Sequence, residues 1–342
     1  MARSDLLRQL FATYSRGDDA AFRRAATEII TDERRKHHRL LAAELENALY
    51  RDLKPGAQVP LTLRPIPKSR DDRPLLRLSK PEREFDDLVL GTDTVEVLRE
   101  VVVENQRRSV LTSHCLRPRQ RLLLVGPSGT GKTASAHAMA AELSLPVATA
   151  SLAALSSSYL GDTGRNVEAV MRFAEQTPCV LVLDEFDALA QGRAQTGDHG
   201  EIRRVAAVVL QLLEEQRGES LVVATSNHPQ LVDIAMWRRF DEVVPFSALD
   251  VTKIGILISL RLRGVEHNIS VQSWSRKLRT ASPAEVELVC ADAMRRTVLA
   301  GSRRVDDEAM LAAVTRLRSR SRALKRAAAE TLGATENPQN GT

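Results

Sequence analysis

Short runs that are apolar on successive residues, separated by stretches of helical period, mark the middle of this chain. RLLLV at 121–125, CVLVL at 179–183 and SLVVAT at 220–225 have no polar alternation. Such runs suit strands buried on both faces, as in a parallel sheet covered by helices. LPVAT at 145–149 and residues 242–246 read as two more strands. Between them, residues 134–141, about 165–175 and 201–215 carry helical periodicity. An amphipathic helix over about 94–111 precedes them, with Val95, Leu98, Val102 and, less regularly, Val110 inward. Strand and helix in alternation predict an α/β domain built on a parallel sheet.

The two flanks have a different texture. Over residues 1–54, Leu6, Leu7, Leu10, Phe11 and Tyr14 form one stripe. Phe22, Ala26, Ile29, Ile30, Leu41, Leu45 and Leu49 form another after Gly17, which predicts an N-terminal helical hairpin. The polar stretch 31–39 reads as a solvated helix face, with a nucleic-acid patch as its rival. His37 and His38 are adjacent, so a helix does not aim both at one metal. Residues 55–80 gather prolines among charges and read as an extended linker, with one short strand at Val59, Leu61 and Leu63. The large domain is read as 81–247 and a helical domain as 248–330. The latter includes a helix starting at Ser282-Pro-Ala-Glu285, a capping box with proline at its first position. Its last helix, 306 to about 329, carries Arg316, Arg318, Arg320, Arg322, Lys325 and Arg326. That basic face is read as solvated or inter-subunit ahead of nucleic-acid binding. Residues 331–342 are expected to be a disordered polar tail.

Composition narrows the class further. With 342 residues, 43% of them hydrophobic, the chain has enough for two or three cores. A net charge of +5 leaves nucleic acid open as a partner without selecting it. Cys115, Cys179 and Cys290 lack metal-ligand spacing and read as reduced thiols of a cytoplasmic protein. No apolar run approaches a membrane span, and Asp5 and Arg8 interrupt the start, so no membrane association is expected.

The chemistry concentrates after the first of the apolar runs. Gly126-Pro127-Ser128-Gly129-Thr130-Gly131-Lys132-Thr133, followed by Ala134, lies between a predicted strand and a predicted helix. Glycines let successive N–H groups converge into a nest for phosphate oxygens, and the helix start adds its dipole. Lys132 supplies charge for the β- and γ-phosphates of ATP, and the Thr133 hydroxyl suits Mg²⁺. Asp184-Glu185 ends the second apolar run, at the strand edge that faces the ligand crevice in open α/β sheets. Asp184 then serves the Mg²⁺ water shell, and Glu185 orients or deprotonates the attacking water. The third run delivers Asn227, whose amide can align that water. Arg238-Arg239, taken alone, is an ordinary surface pair.

Together GPSGTGKT, VLVLDEFDAL, the ATSN strand and WRRFDEVVPF resemble the AAA+ ATPases, most of all the protein-remodelling branch of the Vps4/katanin and FtsH types. The resemblance covers about residues 85–297. It implies a P-loop NTPase core with a C-terminal helical lid, a hexameric ring, and nucleotide held between neighbouring subunits. On that mapping Asn227 is sensor 1, and Arg238 and Arg239 are arginine fingers. Tyr159 and Leu160 form a pore loop gripping a threaded protein substrate. Ser282-Pro-Ala284 stands where a sensor 2 arginine would otherwise lie, so none is assigned. The layout also resembles bacterial ATPases paired with subtilisin-like proteases in phage defence, which would make a separate protease or adaptor a partner through residues 1–54. A DNA-remodelling ATPase of the transposition-helper type, a nucleotide-switched scaffold and a P-loop kinase or ligase are the alternatives.

Overall fold

A computed structural model of the protein describes residues 19–35, 45, 65–151, 163–187, 199–228, 230 and 234–335. In chain order these give α1 (Asp19–Arg35), β1 (Arg77–Ser79), a 3₁₀ turn (Phe85–Asp87), α2 (Thr92–Gln106) and α3 (Arg108–Ser113). There follow β2 (Arg121–Val125), α4 (Lys132–Leu143), β3 (Val147–Ser151), α5 (Thr163–Gln176), β4 (Val180–Asp184) and α6 (His199–Glu215). Next come β5 (Leu221–Ser226), α7 (Ile234–Trp237) and β6 (Glu242–Pro245). Beyond these lie α8 (Val251–Arg261), β7 (Glu266–His267), α9 (Val271–Lys277), α10 (Pro283–Leu299), β8 (Arg304–Val305) and α11 (Asp307–Thr335).

Six strands make one sheet in the order β1-β3-β4-β5-β2-β6. The apolar runs behave as their composition demands: β2, β4 and β5 are central and buried on both faces. Along β2, Leu123 and Val125 join a cluster with Met171, Phe173, Phe186 and Leu213. The intervening Leu122 and Leu124 join Leu98, Val101, Val102 and Met139 on the opposite face. Each such leucine, fully removed from water, contributes about 1.5–3 kcal/mol. This burial fixes the register, because a slip of one residue would exchange the two sets.

Several boundaries depart from the sequence expectation, each for a local reason. The sheet is not wholly parallel: β1, inside the proline-rich segment, adds an antiparallel edge with Leu78 opposite Ala148. Proline is tolerated on such an edge, and the short strand covers β3. The third strand starts at Val147 rather than residue 145, because Leu145 donates its N–H to Ala140 O as α4 ends at left-handed Ser144. The helix expected over 94–111 is two helices divided at Arg107, whose φ −104°, ψ 28° is not helical. The last helix continues to Thr335, five residues into the stretch read as a tail. Most of the N-terminal hairpin and the strand at 59–63 lie outside the described residues, as does 336–342.

The C-terminal helices bury a separate core, with Trp274, Ile254, Ile258, Val286, Cys290 and Met310 at its centre. Trp274 Nε1 donates to Asp307 Oδ1 at 2.6 Å, tying α9 to the start of α11. The α10 capping box forms as its sequence predicts: Ser282 accepts from Glu285 N–H and donates its own N–H to the Glu285 carboxylate. Among the described residues no helix is long and apolar enough to cross a membrane.

Candidate functional site

The loop between β2 and α4 turns on three glycines at positive φ. Gly126, Gly129 and Gly131 have φ of +148°, +76° and +100°. A Cβ on Gly126 would lie 2.1 Å from the Phe246 carbonyl oxygen, which belongs to the segment after β6. Gly126→Ala is therefore expected to destabilise the fold by more than the about 1–3 kcal/mol that a disfavoured backbone alone costs. Urea unfolding monitored by circular dichroism measures it. At Gly129 a Cβ would stand 3.0 Å from Ser282 Oγ and 3.2 Å from Ala284 Cβ, and Ala284 N–H donates to Gly129 O at 3.1 Å. The start of α10 thus closes directly over the glycine loop.

A cleft of about 390 Å³ opens beside this loop. Ser128, Gly129, Thr130, Gly131, Lys132, Thr133 and Ala134 line it, together with Asp184, Glu185 and Asn227. Strand ends bring these together: β2 leads into the loop, β4 ends at Asp184, and β5 ends one residue before Asn227. All three are parallel neighbours, so their C-terminal ends share one edge of the sheet. Gly126 and Pro127 contribute carbonyls. Lys132 Nζ donates to Gly126 O at 2.7 Å, Pro127 O at 2.8 Å and Asn227 Oδ1 at 2.9 Å. Burial draws the Lys132 ammonium below the ordinary lysine value, while Asp184 and Asp187 pull the other way.

The acidic pair differs sharply between its members. Asp184 is half-buried, and its Oδ1 accepts from the Thr225 hydroxyl and from Glu185 N–H at 3.1 Å. Glu185 is exposed, with φ +57°, a left-handed conformation rare outside glycine. Its Oε2 accepts from Ser151 Oγ at 3.2 Å, at the end of β3. Strain of this kind persists only where surrounding contacts hold it, and it clusters where chemistry needs an exact placement.

Residues outside the four motifs complete the cleft. Leu88, Val89 and Leu90 form an apolar side with Leu257, Pro283 and Ala284, next to Arg83 and Glu287. Glu287 pairs with Arg83 at 3.2 Å and with Arg261 at 2.5 Å, and Arg261 Nη2 donates to Asp87 O at 2.8 Å. One carboxylate thereby joins the segment before α2 to α8 and α10. Apart from Pro283 and Ala284, sequence reasoning passed over these residues; the LVL run at 88–90, apolar yet too short for a helix, was the available signal for the apolar side.

Arg238 and Arg239 do not line the cleft of their own chain. Arg239 is ion-paired with Glu214, whereas Arg238 is exposed and has no ion pair among the described residues. Tyr159 and Leu160 lie outside the described residues. No cluster of His, Cys, Asp and Glu suited to a metal occurs among the described residues.

The residues fit a nucleoside triphosphate. The cradle has three glycines at positive φ and no space for a Cβ at Gly126, a buried ammonium stands over it, and an apolar slot flanks it. The model of the ATPase family associated with various cellular activities (AAA) matches residues 122–248. The uncharacterized AAA family ATPase y4kL of Sinorhizobium fredii is 36% identical over 308 residues, covering 90% of this chain and 93% of its own. A proteasome-activating nucleotidase of Methanococcus maripaludis is 29% identical over 265 residues, 71% of this chain and 64% of that one. The peroxisomal ATPase PEX6 of Penicillium chrysogenum is 30% identical over 244 residues, 67% of this chain and 17% of its own length.

Proposed function

This chain belongs to the AAA family of ATPases, and we propose that it spends Mg²⁺-ATP hydrolysis on remodelling or unfolding protein substrates as a ring. The observation that carries the reading is the convergence of glycine cradle, Lys132, Asp184, Glu185 and Asn227 in a single cleft. The name of one relative, a proteasome-activating nucleotidase, supports the protein-directed half.

In the proposed reaction the cradle N–H groups and Lys132 hold the β- and γ-phosphates. Mg²⁺, held by Thr133 and through water by Asp184, would neutralise phosphate charge. Asn227 aligns a water in line with the γ-phosphorus, and Glu185 takes its proton as the new P–O bond forms. The bond to the β–γ bridging oxygen breaks, and ADP carries that electron pair away. Little covalent work falls to the protein, so positioning and charge supply the rate. Arg238, outside its own cleft, is assigned to the neighbouring subunit's γ-phosphate. The helices from α8 onward act as a lid, through the docking of Ser282 and Ala284 on Gly129.

Tyr159 and Leu160 are assigned to the substrate-gripping loop at the ring axis. Tyr159→Ala is expected to leave basal turnover and melting temperature nearly unchanged while removing substrate unfolding. Parallel assays of turnover, melting and processing of an unfoldable reporter test this. Undiminished processing would rule out axial threading, and a marked fall in melting temperature would make Tyr159 a packing residue. A separate protease or adaptor docked through residues 1–54 remains part of the proposal. Its test is capture by the Glu185→Gln variant loaded with ATP, compared with the same variant lacking residues 1–54.

A further inference from the structure

We propose that Thr225 is a positioning residue for hydrolysis: it clamps the acidic turn at both ends and thereby sets the rotation of Asp184 and the placement of Glu185. The proposal rests on the assignment of Asp184 to metal binding given above.

The regular ladder between β4 and β5 ends at Leu183 opposite Ala224. One residue further, Thr225 continues the contact in two ways. Its hydroxyl donates to Asp184 Oδ1, and its carbonyl accepts Phe186 N–H at 2.8 Å. The chain between those two points is Glu185, the one residue of the turn with left-handed φ. Thr225 therefore brackets the strained residue from the strand alongside. It is itself buried, 2% exposed, and in register with Leu124 of β2 on its other side.

The chemical consequence falls on the carboxylate. Asp184 Oδ1 takes two donors, the Thr225 hydroxyl and Glu185 N–H, and no described residue donates to Oδ2. A carboxylate held this way cannot spin, so Oδ2 is the oxygen left for a metal-bound water in the cleft that Asp184 shares with Thr133. Removing the hydroxyl frees the rotation without changing the charge. The supporting groups of metal-site carboxylates tune affinity in the same manner. Loss of one hydrogen bond to a charged group acts on a scale of about ten- to a hundredfold, and the smaller figure applies where, as here, a second donor stays in place.

The test uses the full chain with Thr225→Val, which keeps shape and the backbone bond, and Thr225→Ser, which keeps the hydroxyl. Asp184→Asn and the double variant Asp184→Asn/Thr225→Val serve as references. Three quantities are read: turnover against Mg²⁺ concentration, binding of a fluorescent ATP analogue with Mg²⁺ or with EDTA, and melting temperature. Thr225→Val should lose about tenfold in kcat, keep KM for ATP within about twofold, and need several-fold more Mg²⁺ for half-activation. Its binding in EDTA should equal wild type, with a smaller gain on adding Mg²⁺. Thr225→Ser should stay close to wild type, and the double variant should be no worse than Asp184→Asn, because both remove one coupled function. Wild-type behaviour of Thr225→Val beside an impaired Asp184→Asn would overturn this proposal alone. So would equal impairment in Thr225→Ser, or a fall in melting temperature that tracks the activity. If Asp184→Asn itself kept its Mg²⁺ dependence, the assignment of Asp184 would fail, and this proposal with it.

Discussion

Glu185→Gln binds ATP as tightly as wild type and turns it over about 10²–10⁴ times more slowly, the range a positioned general base contributes. The separation is sharp because the substitution changes little else. Gln keeps the length and planarity of the side chain and still accepts from Ser151 Oγ. Thr225 and the Phe186 N–H hold the turn whatever residue occupies position 185. What disappears is the ability to take a proton from water. Lys132→Ala provides the contrast: it removes the ammonium beside the glycine cradle, and ATP affinity falls with it. Equilibrium binding of a fluorescent ATP analogue and single-turnover hydrolysis in the same preparation separate the two behaviours. Normal turnover in Glu185→Gln would end its assignment as the base.

Arg238→Ala should be slower still, by about 10³–10⁵ in turnover, the range over which arginine fingers act. The side chain is exposed, has no ion pair among the described residues and stays away from its own cleft. In the proposed ring, a cation so placed would act on hydrolysis across the boundary from one subunit to the next. Arg239 is different, because Glu214 already pairs with it. An exposed ion pair is worth about 1 kcal/mol or less, too little to hold Arg239 from a phosphate, yet enough to make Arg239→Ala the milder variant. ATP affinity in both should remain near wild type. Turnover by Arg238→Ala within about threefold of wild type would remove the finger assignment.

Much of the nucleotide cleft was legible in the residues, and the reasons are physical. The glycine loop reads clearly because a strand, a tight turn and a helix start leave each position few alternatives. Asp184 and Asn227 read through the sheet: once three buried strands are parallel neighbours, their ends must share an edge. Arg83, Glu287 and Arg261 were not legible, since an ion pair between residues 204 apart leaves no local trace. Thr225 escaped for a related reason, looking like one more β-branched residue in a buried strand. Strand β1 was hidden by the prolines on either side of it, Pro74 and Pro81, which argue against a central strand and say nothing against an edge. The break at Arg107 was also invisible, because helical spacing resumes on its far side.

Hydrolysis shared between neighbouring subunits can be measured in mixtures. Arg238→Ala retains Glu185, and Glu185→Gln retains Arg238, so each is inactive alone for a different reason. Where a Glu185→Gln subunit presents its arginine to the cleft of an Arg238→Ala subunit, one site regains every group. ATP turnover of an equimolar mixture, assembled with nucleotide, should then rise well above the mean of the two separate preparations and fall again on dilution to monomer. A mixture no more active than that mean, or a wild-type specific activity unchanged down to a demonstrated monomer, would contradict an active site built by two subunits.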